Sequence, residues 1–329
     1  MTFGMQSNFE FQNELEFARR IMITCARITS SVQQEHIVHA QIKADRSPVT
    51  IADYAVQAFV AQALQKEFPQ DGLLGEESSS SLPGDQSLLP SIAKQLKPYL
   101  GVVNPKDVAG WIDRGRGGSE RRNWIIDPVD GTKGFLRRMQ YVIALALMID
   151  SEIVLSVIGC PQLNLYGHLG GMAFAALNEG SYWEPFSQPD KLYPLNVSRQ
   201  TSISQARLLR SFEDAHTNPG QIECFKQAAH LQNQAILMDS QAKYVLLAKG
   251  DGEVLLRLPA EDRPDFVENI WDQAPAYRLI KEAGGEMTDR FGVKLDFTTG
   301  TTLTKNSGIV ATNGILHQET LHILKEISD

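Results

Sequence analysis

The sequence lacks an apolar run long enough to cross a membrane. Its longest such run covers residues 141–149, whereas a transmembrane helix needs roughly 20 apolar residues. It also lacks a basic N-terminal stretch followed by an apolar one, so no secretory signal is predicted. Cysteine is scarce: Cys25, Cys160 and Cys224 lie far apart and match no zinc-binding spacing. Such cysteines favour reduced thiols in a cytoplasmic protein.

An excess of positive charge is missing as well. The net charge is −8, which argues against a general nucleic-acid binder. An anionic substrate stays compatible with this charge, because bound metal ions can reverse the local sign of a site. We therefore expect a small-molecule partner, with neither nucleic acid nor a membrane. A monomer is compatible with the sequence.

The chain is a globular protein that is long for a single core. Its 329 residues are 43% hydrophobic and 21% charged, and a chain of this length usually divides into two domains. Helical spacing of apolar residues predicts helices over 9–31 and from Thr50 onward. Further predicted segments are strands at 73–77, 123–126, 141–149, 153–158, 172–177, 206–210, 235–238, 254–258 and 308–311, and helices at 220–232, 270–283 and 315–327.

These mixed strands and helices predict an α/β fold made of layered sandwiches. The proline-rich stretch 184–194 is the best domain boundary. We therefore predict an N-terminal α+β domain over 1–185 and a C-terminal α/β domain over 186–329. Residues 78–122 are rich in Ser, Gly, Pro and charge and are predicted to include a surface insertion or lid.

An acidic segment follows the predicted strand 123–126. Asp127 and Asp130 flank a Pro-Val step, and the end of a strand directs side chains into a crevice. The alternative is a plain β-turn, because Asp-Pro and Asp-Gly both favour turns. This segment alone does not decide between the two.

Further acids stand at the ends of other predicted elements. Glu76 and Glu77 end a short strand, and Asp272 begins a helix. Each has an ordinary alternative, as a solvated loop acid or as a helix N-terminal charge. Two carboxylates ~4 Å apart repel by roughly 4 kcal/mol at an effective dielectric near 20. Converging acids therefore need a cation, and oxygen ligands without His or Cys favour Mg²⁺ over zinc.

Asp53 and Thr132 are candidate catalytic residues. A hydroxyl held by a carboxylate can orient and deprotonate a water whose pKa metal ions have lowered. The competing interpretation makes Asp53 the acid of a helix capping box with Thr50. Because helix N-termini also bind phosphate, the two interpretations are compatible.

Separated motifs together resemble one family. Residues 75–77, 124–132 and 271–272 with 282–285 resemble, in this order, the lithium-sensitive, magnesium-dependent phosphatases of the inositol monophosphatase superfamily. The resemblance runs from about residue 10 to the end. Residues 45–50, 112–118, 133–137 and 239–244 with 257–259 are similar to its 3′(2′),5′-bisphosphate nucleotidases. These enzymes remove the 3′-phosphate from adenosine 3′,5′-bisphosphate (PAP) and from its sulfated form (PAPS).

The resemblance implies a fold, a cofactor and a set of roles. It implies an αβαβα sandwich of two domains, two or three Mg²⁺ ions, and inhibition by Li⁺. The implied metal ligands are Glu76, Asp127, Asp130, Asp272 and the backbone carbonyl of Val129. Asp53 and Thr132 would activate the water. The implied substrate contacts are Ser240, Lys243, Arg257 and His216, together with Thr132 and Asp272.

One segment departs from the family pattern. After Trp271 and Asp272 the family usually has small residues, typically Ala-Ala-Gly, where this chain has residues 273–276, Gln-Ala-Pro-Ala. The proline is tolerated in a first helical turn, but the pocket wall would change shape. Two other functions stay open: an inositol (poly)phosphate phosphatase with the same metal core, and a non-catalytic PAP sensor.

Overall fold

The computed structural model describes residues 9–35, 41–42, 48–82, 88–119, 121–212, 218–260, 263 and 265–327. Its helices are α1 (Gln12–Gln34), α2 (Ile51–Glu67), α3 (Leu89–Leu100), α4 (Pro105–Asp113), α5 (Thr132–Leu136), α6 (Pro219–Ala228), α7 (Ala242–Lys249), α8 (Ile270–Glu282) and α9 (His317–Glu326). None of the helices within these ranges is both long and apolar enough to cross a bilayer.

The strands form two large sheets and one small hairpin. They are β1 (Gln41–Ile42), β2 (Pro48–Val49), β3 (Gly72–Gly75), β4 (Arg116–Gly117), β5 (Arg122–Asp130), β6 (Val142–Ile149), β7 (Glu152–Leu165), β8 (His168–Ala176), β9 (Gly180–Pro185), β10 (Tyr193–Leu195), β11 (Leu208–Arg210), β12 (Ile236–Leu237), β13 (Val254–Arg257), β14 (Glu286–Thr288) and β15 (Ile309–Thr312). Strands β1 and β2 pair with each other.

The first large sheet has the order β10-β9-β8-β7-β6-β5-β3-β4. Its neighbours are antiparallel except β3 and β5, which run parallel. Seven of the eight residues of β6 are buried, because helices cover both faces of this sheet. On one face, α1 and α2 with α3 and α4 contribute residues such as Phe17, Tyr54 and Ile92 to one core cluster.

The second sheet and the remaining helices complete the layers. Its order is β12-β11-β13-β15-β14. Residues of α7 and α8, among them Tyr244 and Leu279, lie in one core cluster with residues of both sheets. Helices α6 and α9 pack on the outer face of the second sheet through Phe225 and Leu324. The layers are therefore αβαβα, and the predicted layered α/β fold is confirmed.

The segment 78–122 differs from its prediction. Instead of a surface insertion alone, it contains the helices α3 and α4, which pack against the core. Ile92, Leu96, Val108 and Ile112 of these helices are fully buried. The high content of Ser, Gly, Pro and charge made their amphipathic pattern hard to identify from the sequence. Pro105 does not interrupt α4, because it begins the helix at a position that tolerates proline.

Strands β9 and β10 stand where the sequence predicts a domain boundary. Strand β9 ends at Pro185, and Tyr193 of β10 pairs back with Trp183 of β9. Proline is compatible with both strands, because β10 lies at the edge of the sheet. The division into domains 1–185 and 186–329 stays a prediction.

Candidate active site

A bulge in β5 brings two of the acids to the same side of the sheet. Along the pairing with β6, Asp127 lies opposite Ala144 and Asp130 lies opposite Val142, so three steps on β5 match two on β6. In a regular strand, residues three apart point to opposite faces. The extra residue of the bulge brings Asp127 and Asp130 back to the same face, and both carboxylates can then face the same pocket.

The third acid comes from the middle helix layer. Asp272 lies in the first turn of α8, and one carboxylate oxygen each from Asp127, Asp130 and Asp272 lies within 4.8 Å of the others. Glu76 follows β3, the parallel neighbour of β5, and its backbone N–H donates to the Ile126 carbonyl at 3.3 Å. Because parallel strands end at the same edge of a sheet, Glu76 lies beside Asp127.

This concentration of negative charge perturbs the acids. Burial, reinforced by Glu76, Asp130 and Asp272, raises the pKa of Asp127 well above its usual range. Burial also raises the pKa of Asp272, although the Arg257 guanidinium opposes this effect. The pKa of Asp130 is raised by burial too, and the nearby Lys243 ammonium lowers it in part. The positive charges and hydrogen bonds of the protein therefore do not fully stabilise the ionised forms of these three carboxylates.

The donor set fits a hard divalent cation. Asp127 Oδ1 is buried and has no hydrogen-bond partner within the described part of the chain. A buried carboxylate oxygen without a partner is costly, and a cation would satisfy it. The clustered ligands are all oxygens, which suits Mg²⁺ better than zinc.

Asp53 lies at the N-terminus of α2, where the capping box predicted from the sequence is present. Its carboxylate accepts hydrogen bonds from the Thr50 N–H at 2.8 Å and the Thr50 hydroxyl at 2.7 Å. One turn further along α2, the Gln57 amide donates to the Glu77 carbonyl at 2.7 Å and accepts from the Glu77 N–H at 2.9 Å. Residues four apart share a helix face, so Asp53 faces the end of β3 that carries Glu76.

Thr132 is the first residue of α5, directly after the acidic turn. Its hydroxyl donates to the Val129 carbonyl at 3.1 Å, so the candidate nucleophile-activating hydroxyl touches the predicted backbone ligand. Gly131 makes this turn possible because its φ is +87°, in the left-handed region that favours glycine. A Cβ at Gly131 would lie 2.9 Å from Ser240 Cβ, so the turn also packs against the predicted nucleotide site.

The predicted nucleotide-binding residues lie next to the acids. Lys243 Nζ donates to the Ser240 carbonyl at 2.9 Å and to the Ser211 hydroxyl at 3.0 Å. Burial lowers the pKa of Lys243 to about 8, although the Asp130 carboxylate opposes the shift. Arg257 Nη2 lies 3.9 Å from Asp272 Oδ2. His216 lies outside the described residues.

Gln241 is a site residue that the sequence reasoning did not assign. Its backbone N–H donates to Asp130 Oδ2, and its side-chain amide donates to the Trp271 carbonyl at 3.2 Å. It thereby joins the end of β5 to the start of α8, the two elements that carry the acids. Its position inside the segment 239–244 was the available signal, but only the fold shows which groups it connects.

The chain is similar to known proteins along nearly its whole length. The family model described as "Inositol monophosphatase family" matches residues 12–329. The chain belongs to this family. It is 32% identical to a 3′(2′),5′-bisphosphate nucleotidase of Emericella nidulans, over 96% of this chain and 99% of that protein. It is 33% identical to a protein of the same name from Schizosaccharomyces pombe, over 92% of each.

Solved structures agree on the fold. An IMPase from Thermotoga maritima superposes with a TM-score of 0.68 at 18% identity, over 96% of this chain and 98% of that one. The predicted inositol monophosphatase-like fold is thus confirmed. The relatives also confirm the predicted membership of the bisphosphate nucleotidase branch, and with it the prediction that this chain is an enzyme. Enzymes of this family are metal-dependent, which fits the acidic cluster.

Proposed function

We propose that this member of the inositol monophosphatase family is a Mg²⁺-dependent phosphatase that hydrolyses the 3′-phosphate of PAP to give AMP. The observation that carries the proposal is the acid cluster of Asp127, Asp130 and Asp272 with two cations beside it, the buried Lys243 and the partly buried Arg257. Such a site attracts both metal ions and a second anionic group of the substrate. Relatives at 32–35% identity carry the name bisphosphate nucleotidase.

The acids supply the metal chemistry. Glu76, Asp127, Asp130, Asp272 and the Val129 carbonyl would hold two or three Mg²⁺ ions, which neutralise the phosphate and stabilise the leaving 3′-oxygen. The bulge in β5 and the N-terminus of α8 fix the carboxylates before any ligand arrives. This preorganisation lowers the cost of reaching the transition state.

Thr132 and Asp53 would activate the attacking water. The Thr132 hydroxyl accepts a proton from the water while it passes its own proton to Asp53, which holds it as a carboxylic acid. The oxygen of the water then forms a bond to phosphorus as the bond from phosphorus to the 3′-oxygen breaks. The leaving 3′-oxygen takes a proton from solvent and Asp53 returns its proton to solvent, so one PAP and one water give one AMP and one phosphate.

Lys243, Arg257 and Ser240 would hold the nucleotide, joined by His216. The Arg257 guanidinium lies 3.9 Å from Asp272 Oδ2, and the Lys243 ammonium is close enough to the Asp130 carboxylate to lower its pKa in part. They would pair with the second phosphate, a group that inositol monophosphate lacks. On this ground we favour the nucleotide over inositol monophosphates, and the names of the relatives favour it over inositol bisphosphates. We also propose PAPS as a further substrate, and we propose a cytoplasmic location because the three cysteines are free thiols.

A substrate panel tests the proposal. Phosphate release is measured with PAP, PAPS, inositol 1-phosphate and inositol 1,4-bisphosphate at saturating Mg²⁺, with and without Li⁺. We expect the highest kcat/KM with PAP, appreciable turnover of PAPS, and inhibition by Li⁺. A preference for either inositol phosphate would replace the proposed substrate. Binding of PAP without any phosphate release would instead indicate a sensor.

A further inference from the structure

Arg257 is held by a buried chain of polar side chains. Its guanidinium donates to Glu268 through Nε at 3.1 Å and Nη2 at 2.7 Å. The Gln273 amide donates to the same Glu268 carboxylate at 2.7 Å. The Tyr244 hydroxyl in turn donates to the Gln273 carbonyl oxygen at 2.8 Å. Glu268 is 6% exposed, and Gln273 and Tyr244 are fully buried.

This chain of contacts connects the three elements that carry the site. Arg257 ends β13, Tyr244 follows Lys243 in α7, and Gln273 follows Asp272 in α8. Gln273 is the first residue of the segment 273–276, which differs from the family pattern. Its amide uses both of its ends, one as a donor to Glu268 and one as an acceptor from Tyr244. Gln273 thereby links α7 to the carboxylate that holds Arg257.

We propose that Glu268 and Gln273 are positioning residues that fix the Arg257 guanidinium for the anionic substrate. This inference rests on the proposed function. The side-on pair with Glu268 occupies one edge of the guanidinium, and the remaining N–H donors are left for another acceptor. Holding a free arginine side chain in a single rotamer costs conformational entropy. Much of that cost is already met before the substrate binds.

Glu268 also keeps the guanidinium away from the metal ligands. Asp272 Oδ2 lies 3.9 Å from Arg257 Nη2, whereas Glu268 Oε2 lies 2.7 Å away. Without the Glu268 charge, Asp272 becomes the nearest carboxylate for Arg257. Arg257 would then pair with a predicted metal ligand and be lost to the substrate. A purely structural ion pair would have neither consequence.

The same strand offers a matched control. Glu253 directly precedes β13 and pairs side-on with Arg207, through Nε at 3.1 Å and through Nη2. Glu253 is 1% exposed, so its carboxylate resembles that of Glu268 in charge and burial, although Arg207 is more exposed than Arg257. Glu253 stands at the opposite end of the strand from Arg257, roughly 13 Å away at ~3.3 Å per residue. In the described part of the chain its backbone pairs with Arg207 and Asn313, neither of which is a predicted site residue.

The experiment compares Glu268→Gln, Gln273→Leu and Glu253→Gln at saturating Mg²⁺ with PAP. We expect Glu268→Gln to raise KM about tenfold, the equivalent of one charged hydrogen bond, with kcat within about threefold of wild type. Gln273→Leu should raise KM less, because the ion pair itself persists. Glu253→Gln should lower Tm while KM stays unchanged. Equal KM in Glu268→Gln and wild type, or equal effects of Glu268→Gln and Glu253→Gln, would overturn the positioning role.

A double-mutant cycle separates positioning from general destabilisation. If Glu268 acts through Arg257, Glu268→Gln should leave kcat/KM unchanged in an Arg257→Ala background. An undiminished effect in that background would contradict the inference. If Glu268→Gln does not fold, the same cycle with Gln273→Leu decides. Absence of PAP turnover by the wild-type chain would overturn the proposed function and this inference together, whereas normal turnover with additive effects would overturn this inference alone.

Discussion

The position of Asp53 is compatible with both roles that the sequence suggests for it, as the acid of a helix capping box and as a catalytic residue. The structure shows the capping box, with Thr50 donating to its carboxylate. It also places Asp53 on the face of α2 that meets the segment carrying Glu76. Identity and spacing were enough to predict the capping box, because both partners lie within one helical turn. The catalytic duty depends on packing between α2 and β3, and it stays a prediction.

Two substitutions at the N-terminus of α2 separate the capping role of Asp53 from its predicted catalytic role. We expect Asp53→Asn to reduce kcat by about a thousandfold or more, since an amide cannot accept the proton. Thr50→Ala should reduce stability by ~1 kcal/mol through the lost cap and retain most activity. Turnover and Tm are measured for both variants. Matching losses of activity and Tm in the two variants would show that Asp53 is only a capping residue.

The role of Glu268 and Gln273 beside Arg257 could not be predicted from the sequence. Gln273 follows the motif residue Asp272, but each of the two alone has the ordinary explanation of a polar residue at a helix start. Their connection to Arg257 exists only because β13 and α8 pack side by side. Asp127, Asp130 and Asp272 were predictable, by contrast, because each acid ends or begins a regular element.

The bulge in β5 determines to which face of the sheet Asp127 and Asp130 point. The sequence predicts a short strand over 123–126, whereas β5 continues through Asp130. Regular alternation would direct Asp127 and Asp130 to opposite faces. The register against β6 introduces the extra residue, and that register depends on the partner strand. The bulge was therefore not predictable from the segment itself.

The turn after β5 should be intolerant of any side chain at Gly131. We expect Gly131→Ala to lower both Tm and activity, because alanine at φ +87° is strained and its Cβ would crowd Ser240. Gly300→Ala is the control: Gly300 has the same φ of +87°, but no atom lies within 4 Å of the added Cβ. Gly300→Ala should therefore lose some stability with activity retained. Equal activity in the two variants would contradict the packing role of this turn.

At the scale of the whole molecule, the fold brings acids from separate layers together at a cost. Asp127 and Asp130 come from the first sheet, and Asp272 comes from the middle helices. The order of strands and helices was sufficient to predict this layering. The helices within the segment 78–122 were not predictable in this way. The composition of the segment resembles that of a loop, although Ile92 and Val108 are buried in the core.

Metal binding should therefore control the stability of the whole molecule. We expect Mg²⁺ to raise the Tm of the wild-type chain above its value in chelator, since the ion binds only the folded arrangement. Asp127→Asn should keep or raise the Tm in chelator, because it removes one repelling charge, and should lose most of the rise with Mg²⁺. Asp150→Asn changes an exposed acid paired with Arg121 and serves as the control. A full Mg²⁺ response in Asp127→Asn would argue against the acid cluster as the metal site.

The products of PAP hydrolysis show whether the proposed reaction takes place. The wild-type chain is incubated with PAP in Mg²⁺ or in chelator, the nucleotides are separated by chromatography, and free phosphate is quantified. We expect 5′-AMP and phosphate in equal amounts with Mg²⁺, and neither product in chelator. Formation of adenosine 3′-monophosphate, or undiminished phosphate release in chelator, would contradict the proposed reaction.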